Sequence, residues 1–188
     1  MPPAVSEIYA PPAPGYGGRG GDIDRNGVYW TSLASGHLGQ FDRRKCKVLN
    51  GPKATGDHCP EGWTLHRMPG PTFESGVDDE HSAEASYYTW VDWYNISGLG
   101  ENTPIATGNQ NSSLLALVNG KWLNLVVPYP MGFFTKWVEG RVDDASAGWK
   151  GRGLWTTYSN RTMFHLEGGK ENRPKVVKFQ IRPDPLAK

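Results

Sequence analysis

The residues that most resemble a reactive site lie in the loop FESGVDDEHSAEAS, where His81 stands between Glu80 and Glu84. A neighbouring carboxylate raises the pKa of an imidazole and fixes its tautomer, which suits a general base. The same three side chains could together hold a divalent cation, magnesium or calcium. The alternative is a solvated acidic loop without chemistry. The spacing therefore predicts Glu80, His81 and Glu84 as candidate catalytic residues.

Three aspartates are candidates for a second cation site. Asp24, Asp92 and Asp143 each follow a branched residue, and Asp24 lies in GGDIDRNGVYWTS, whose D-x-D-x-N-G pattern opens a calcium-binding loop. An EF-hand loop also requires a glutamate where Leu33 stands. The same stretch fits a strand, a tight Asn26-Gly27 turn and a second strand. This pattern favours aspartates that accept backbone hydrogen bonds at turns, with a cation at a shared axis as the alternative.

A repeat of just under sixty residues supplies the elements that would position these side chains. Four apolar segments end in P-x-P, namely EIYAPPAP, TLHRMPGP, LNLVVPYP and KFQIRPDP. Between them recur an inner strand (VYWTSL, TPIATG, GLWTTYS) and a further strand (HLGQFD, SSLLALVN, TMFHLEG). Four short strands per repeat, joined by turns such as Asn26-Gly27 and Asn119-Gly120, are typical of a β-propeller blade.

The segment GDIDRNGVYWTSLASGHLGQFDRRK resembles the blade repeat of streptogramin-lyase-like and NHL-type β-propellers, and GRGLWTTYSNRTMFHLEGG resembles it more loosely. The resemblance covers about residues 18–188. It implies an all-β propeller fold. The repeat then predicts three four-stranded blades at about 18–71, 85–130 and 138–185, after an N-terminal arm (1–17) that supplies an extra outer strand at 5–12. Because closed propellers typically have about 4–8 blades, we expect part of a longer propeller or a homo-oligomer that completes one.

The propeller also predicts which loops would meet a ligand. Loops that lead into each inner strand, and loops between the second and third strands, emerge on the face that usually holds the ligand. The polar and aromatic candidates on that face, for a small-molecule or carbohydrate ligand, are Ser35, His37, Asn109, Asn111, Asn160, Arg161, Lys136 and Trp137. Other aromatic residues could stack on such a ligand or pack between sheets: Tyr87, Tyr88, Trp90, Trp93, Phe133 and Phe134.

The two cysteines bear on the compartment. Cys46 and Cys59 flank the polar, turn-rich segment KVLNGPKATGDH, which favours a disulfide over two free thiols or a zinc site. A disulfide indicates an oxidising compartment, so we expect a periplasmic or extracellular location. The first residues, MPPAVSEIYAPPAP, show no signal peptide.

Charge and hydropathy narrow the range of partners. A formal net charge of +1 gives no electrostatic footprint for nucleic acid. No apolar run reaches the length that spans a bilayer. Two functions remain. The first is a secreted or periplasmic binding and interaction module. The second is a metal-assisted lyase or hydrolase, a reaction class that the resemblance implies. The loop residues His81, Glu80 and Glu84 are its candidate catalytic groups, although they match no catalytic position of that family.

Overall fold

The computed structural model describes residues 6–70, 72, 80–127, 133–140, 153–158 and 175–180. Within these residues it contains β-strands and two short 3-10 helices, Arg43–Lys45 and Pro60–Gly62. The predicted all-β fold is confirmed. No helix in this part of the chain is both long and apolar enough to cross a membrane.

The first sheet is an antiparallel meander in chain order. Its strands are β1 (Gly18–Ile23), β2 (Tyr29–Leu33), β3 (His37–Phe41) and β4 (Trp63–Arg67). The predicted Asn26-Gly27 turn joins β1 to β2, and Gly27 has a φ of +80°, which residues with a side chain rarely adopt.

The second sheet repeats this meander. Its strands are β5 (Thr89–Asp92), β6 (Thr103–Gly108), β7 (Ser113–Val118) and β8 (Lys121–Val126). Asn119 and Gly120 both have positive φ and form the predicted two-residue turn between β7 and β8.

The third sheet has the order β11-β10-β9, from β9 (Val138–Glu139), β10 (Leu154–Tyr158) and β11 (Lys175–Phe179). The sequence predicts that TMFHLEG forms the strand next to β10, and that KFQIRPDP forms the outermost strand beyond TMFHLEG. Instead, β11 pairs with β10 directly, and TMFHLEG lies outside the described residues. Side chains alternate along KVVKF, so that Val177 and Phe179 pack on the core while Val176 is exposed.

Strand β7 shows that the second sheet lies between the other two. Leu114 and Ala116 belong to a core shared with the third sheet, whereas Leu115 and Leu117 belong to a core shared with the first. Successive side chains of a strand point to opposite faces, so the apolar run in SSLLALVN fills two cores at once. Such double-sided burial is expected of a blade with a neighbour on each side.

The first strand of each sheet lies next to the first strand of its neighbour. Strand β1 contacts β5, and β5 contacts β9. The Gly20 amide donates a hydrogen bond to the Tyr87 carbonyl (3.1 Å), which ties β1 to the segment that leads into β5. The three sheets therefore share an inner side, as blades do around a propeller axis.

The strand expected at residues 5–12 is not a strand over its described part, residues 6–12. Here the arm packs on the end of β3 and on the connection between β3 and β4. The centre of the Tyr9 ring lies 4.7 Å from that of Phe41 and 5.1 Å from that of His58. The Ala10 amide donates a hydrogen bond to the Gly56 carbonyl (2.6 Å). Consecutive prolines at 11 and 12 lack the N–H groups that a strand would need.

The same connection contains the predicted disulfide, which is confirmed. Cys46 follows the first 3-10 helix, Cys59 precedes the second, and the two form a bridge. The bridge therefore closes the loop against which the arm packs.

Candidate ligand-binding site

Side chains from three sheets meet where the inner strands begin. Arg19 lies on β1, Tyr87 leads into β5, and Phe134 and Lys136 lead into β9. The Arg19 guanidinium carbon is 4.4 Å from the centre of the Tyr87 ring, and the Lys136 ammonium is 5.1 Å from it. The Phe134 ring lies 5.6 Å from the Tyr87 ring. We call these four residues the axial cluster.

The axial cluster carries two positive charges. Within the described residues, no ion pair joins Arg19 or Lys136 to a carboxylate. Both cations lie against the same ring, whose electron-rich face attracts them. Arg19 also donates to the Ser86 carbonyl (2.6 Å), which leaves further guanidinium N–H groups for a ligand. Such an arrangement favours an anionic ligand.

Buried hydroxyl groups form hydrogen bonds beside the axial cluster. The Ser32 hydroxyl lies 2.7 Å from that of Ser86 and 2.9 Å from that of Thr89. Thr107 accepts a hydrogen bond from the Tyr87 amide (2.9 Å). These contacts join the first and second sheets next to Tyr87, so its backbone is held in place before any ligand arrives.

Asn109, a predicted ligand residue, holds the third sheet to the second. Its side-chain amide donates to the carbonyls of Ala85 (2.7 Å) and Thr135 (3.0 Å), and its oxygen accepts from the Thr135 amide (2.7 Å). Thr135 lies between Phe134 and Lys136 in the sequence. The buried Asn109 side chain thus positions the third-sheet members of the axial cluster.

Glu84, a predicted catalytic residue, is 2% exposed and links two loops. Its carboxylate accepts hydrogen bonds from the backbone of Gln110 (2.9 Å) and Asn111 (3.2 Å), and from the Asn111 side chain (2.6 Å). Burial raises the pKa of the Glu84 carboxyl, although these hydrogen bonds oppose the shift. The side-chain amide of Asn111, another candidate, also donates to the Pro69 carbonyl (2.6 Å).

Two histidines and a serine among the candidate residues lie close together. The Ser35 hydroxyl lies 3.0 Å from His37 Nδ1, and the His37 and His81 ring centres are 5.9 Å apart. Burial, followed by the neighbouring His81, lowers the pKa of His37. His81 Nε2 donates to the Pro14 carbonyl (3.2 Å).

The candidate metal residues Asp24 and Asp92 accept hydrogen bonds at turns. Asp24 accepts from the amides of Asn26 (2.8 Å) and Val28 (2.9 Å). Asp92 accepts from the Ile96 amide and from the amide and hydroxyl of Ser97 (2.6–2.8 Å). Asp143 lies outside the described residues. Across the ranges that are described, no group of three His, Cys, Asp or Glu residues is arranged to hold a metal ion.

The remaining candidates divide among surface, core and undescribed residues. Trp137, beside Lys136, is partly exposed, whereas Trp90 and Phe133 are buried in the core. Asn160 and Arg161 lie outside the described residues. Arg19 was not predicted. The signal was its place in GYGGRGGD, where it is the one basic residue in a glycine-rich segment.

Comparison with known proteins identifies the fold. No family profile and no curated protein matches the sequence. Among solved structures, the chain is similar to virginiamycin B lyase from Staphylococcus aureus, with 14% identity, a TM-score of 0.50 and coverage of 94% of this chain and 45% of that one. It is also similar to a streptogramin B lyase, with 15% identity, a TM-score of 0.49 and coverage of 94% and 44%.

The chain has a β-propeller fold. At these identities the similarity extends to the fold alone. The chain spans less than half the length of the two lyases that it matches. The strand order within the first two sheets and the contacts between the inner strands agree with this fold, and the axial cluster lies where those inner strands begin.

Proposed function

We propose that this chain is a propeller binding module that takes a small anionic ligand, such as an acidic saccharide or an organic carboxylate, at the axial cluster. The observation that carries the proposal is the placement of Arg19 and Lys136 against one tyrosine ring, without an ion pair in the described part of the chain. The Cys46–Cys59 disulfide supports a secreted or periplasmic location.

The hydrogen bonds of Glu84 favour binding over catalysis. A lyase or hydrolase based on His81 would need a carboxylate partner for metal or proton transfer. Both Glu84 oxygens instead accept hydrogen bonds from the backbone of Gln110 and Asn111. Two cations beside an aromatic ring require no such chemistry to hold a ligand.

Titration calorimetry with citrate and with trigalacturonate tests the proposal. Removing one charge-assisted hydrogen bond costs about 1.5–3 kcal/mol, so we expect Lys136→Gln to weaken binding at least about tenfold. Arg19→Gln should weaken binding similarly. Binding by the unmodified chain should also weaken as salt is added, because counterions screen the two cations.

Lys121→Gln is the matched control, since it removes the same charge from an exposed position on β8. It should bind both ligands like the unmodified chain. Equal affinity of Lys136→Gln and Lys121→Gln would contradict the proposal, as would failure of the unmodified chain to bind either anion. Circular dichroism of each variant verifies that the sheets are intact.

A further inference from the structure

A groove of about 680 Å³ opens at the opposite end of β1 from the axial cluster. It lies beside the turn between β1 and β2 and beside the residues that directly follow β5. Aromatic side chains of Tyr29, Trp93 and Tyr94 line it together with the charged groups of Asp22 and Arg25. Its volume falls within the range of small-molecule sites, about 300–1,000 Å³.

The Trp93 ring is fixed in the wall of this groove. Its indole N–H donates to the Ile23 carbonyl (2.6 Å), and one side of the ring packs against the core between the first and second sheets. The Tyr94 ring stands edge-on to it, with ring centres 6.2 Å apart. Two flat surfaces therefore meet at a large angle before a ligand binds, which lowers the entropic cost of binding.

Tyr94 projects outward, yet it is held in place. It is 57% exposed, and the Arg25 guanidinium lies 5.3 Å from the centre of its ring. Arg25 is itself anchored, because its side chain pairs with Glu101 (3.2 Å) and its amide donates to the Asn102 side chain (3.0 Å). An exposed aromatic ring with an ordered polar neighbour presents an apolar face and a hydrogen-bonding edge to the same ligand.

A glycine makes room for the third aromatic wall. A side chain at Gly21 would bring its Cβ to 2.8 Å from the Tyr29 hydroxyl and still closer to the Trp30 carbonyl. The Tyr29 ring can therefore lie across β1 only because residue 21 has no side chain. The shape of the groove therefore depends on a glycine at position 21 of β1.

The net charge of this groove is opposite in sign to that of the axial cluster. Its lining residues Asp22, Asp24 and Arg25 carry a net charge of −1, so an anion is disfavoured. Saccharide rings present C–H faces that pack on aromatic rings, and hydroxyl edges that bond to carboxylates and guanidinium groups. We propose that this groove binds a neutral oligosaccharide, with the sugar ring on Tyr94 and Trp93.

Two-dimensional NMR of the tryptophan indole N–H signals tests this site. The Trp93 signal is assigned with Trp93→Phe, and maltotetraose, cellotetraose and N-acetylchitotetraose are titrated to millimolar concentration. We expect at least one of them to shift the Trp93 signal. Loss of aromatic stacking should weaken that binding about tenfold in Tyr94→Ala.

Tyr16→Ala is the matched control, because Tyr16 is 55% exposed and lies near the other end of the propeller axis, beside His81. It should bind like the unmodified chain, and so should Lys136→Gln, which keeps this test independent of the anion site. The proposal fails if none of the three saccharides shifts the Trp93 signal. It also fails if Tyr16→Ala weakens binding as much as Tyr94→Ala, or if sulfated maltotetraose binds more tightly than the neutral form.

Discussion

Replacing Glu84 with alanine is expected to lower the free energy of unfolding by about 3 kcal/mol, because three N–H donors of Gln110 and Asn111 lose their acceptor and a buried side chain is removed. The amides of Gln110 and Asn111 point at this carboxylate, and the Glu84 side chain is itself buried. Urea unfolding followed by tryptophan fluorescence measures the change. Glu80→Ala is the control. Glu80 is exposed and belongs to the same loop, so its replacement should cost less than about 0.5 kcal/mol.

The same carboxylate predicts a pH dependence. Because burial raises the pKa of Glu84, the folded state holds this proton more tightly than the unfolded state does. The stability that the bound proton contributes is complete below the ordinary glutamate pKa and is lost as pH rises through the raised value. The difference in unfolding free energy between the unmodified chain and Glu84→Ala should therefore narrow from acidic to neutral pH. A difference that widens over this interval would contradict the assignment.

Removing the Cys46–Cys59 disulfide is expected to have a comparable effect. The bridge spans a sequence separation of 13, and closing a loop of this size stabilises a protein by about 3 kcal/mol. The double variant Cys46→Ser/Cys59→Ser should lose that amount in urea unfolding. Mass measurement should show that the unmodified chain gains two hydrogen atoms on reduction.

Loss of the disulfide should also weaken the contact between the N-terminal arm and the loop that the bridge closes. The Ala10 amide donates to Gly56 inside the closed loop, so its hydrogen exchange should accelerate in the double variant. The Gly20 amide, which bonds to Tyr87 between the first two sheets, serves as the internal control. Equal stability of the double variant and the unmodified chain would show that the loop holds its shape without the bridge.

The fold was largely predictable because local patterns and global packing agree. The Asn26-Gly27 and Asn119-Gly120 turns fix hairpins through backbone conformation alone, and the apolar run in SSLLALVN indicates a strand buried on both faces. The arm was wrongly expected to be a strand, because its alternation of apolar residues and prolines resembles the other P-x-P segments. What decides its position is the contact of Tyr9 with Phe41 and His58, which the local sequence does not encode.

The site was less predictable, because its chemistry depends on contacts between distant residues. Glu84 looks like a reactive carboxylate beside His81 in the sequence, yet its partners lie 26 and 27 residues further on. Lys136 was predicted to face a ligand, and Tyr87 was a candidate for stacking. Arg19 joins them only because β1 and β5 lie side by side around the axis. Spacing along the chain carries no sign of that juxtaposition.

The convergence of three sheets on one ring is most directly tested by NMR of lysines that carry ¹³C-labelled dimethyl groups. Dimethylation keeps the positive charge, and the signal of Lys136 is assigned with Lys136→Gln. With its ammonium 5.1 Å from the Tyr87 ring, this signal should lie upfield of the other lysine signals through the ring current. It should return to their position in Tyr87→Ala. Citrate should shift it, while the Lys121 signal stays unchanged. A Lys136 signal that lies among the other lysines, and that neither Tyr87→Ala nor citrate moves, would contradict the axial cluster.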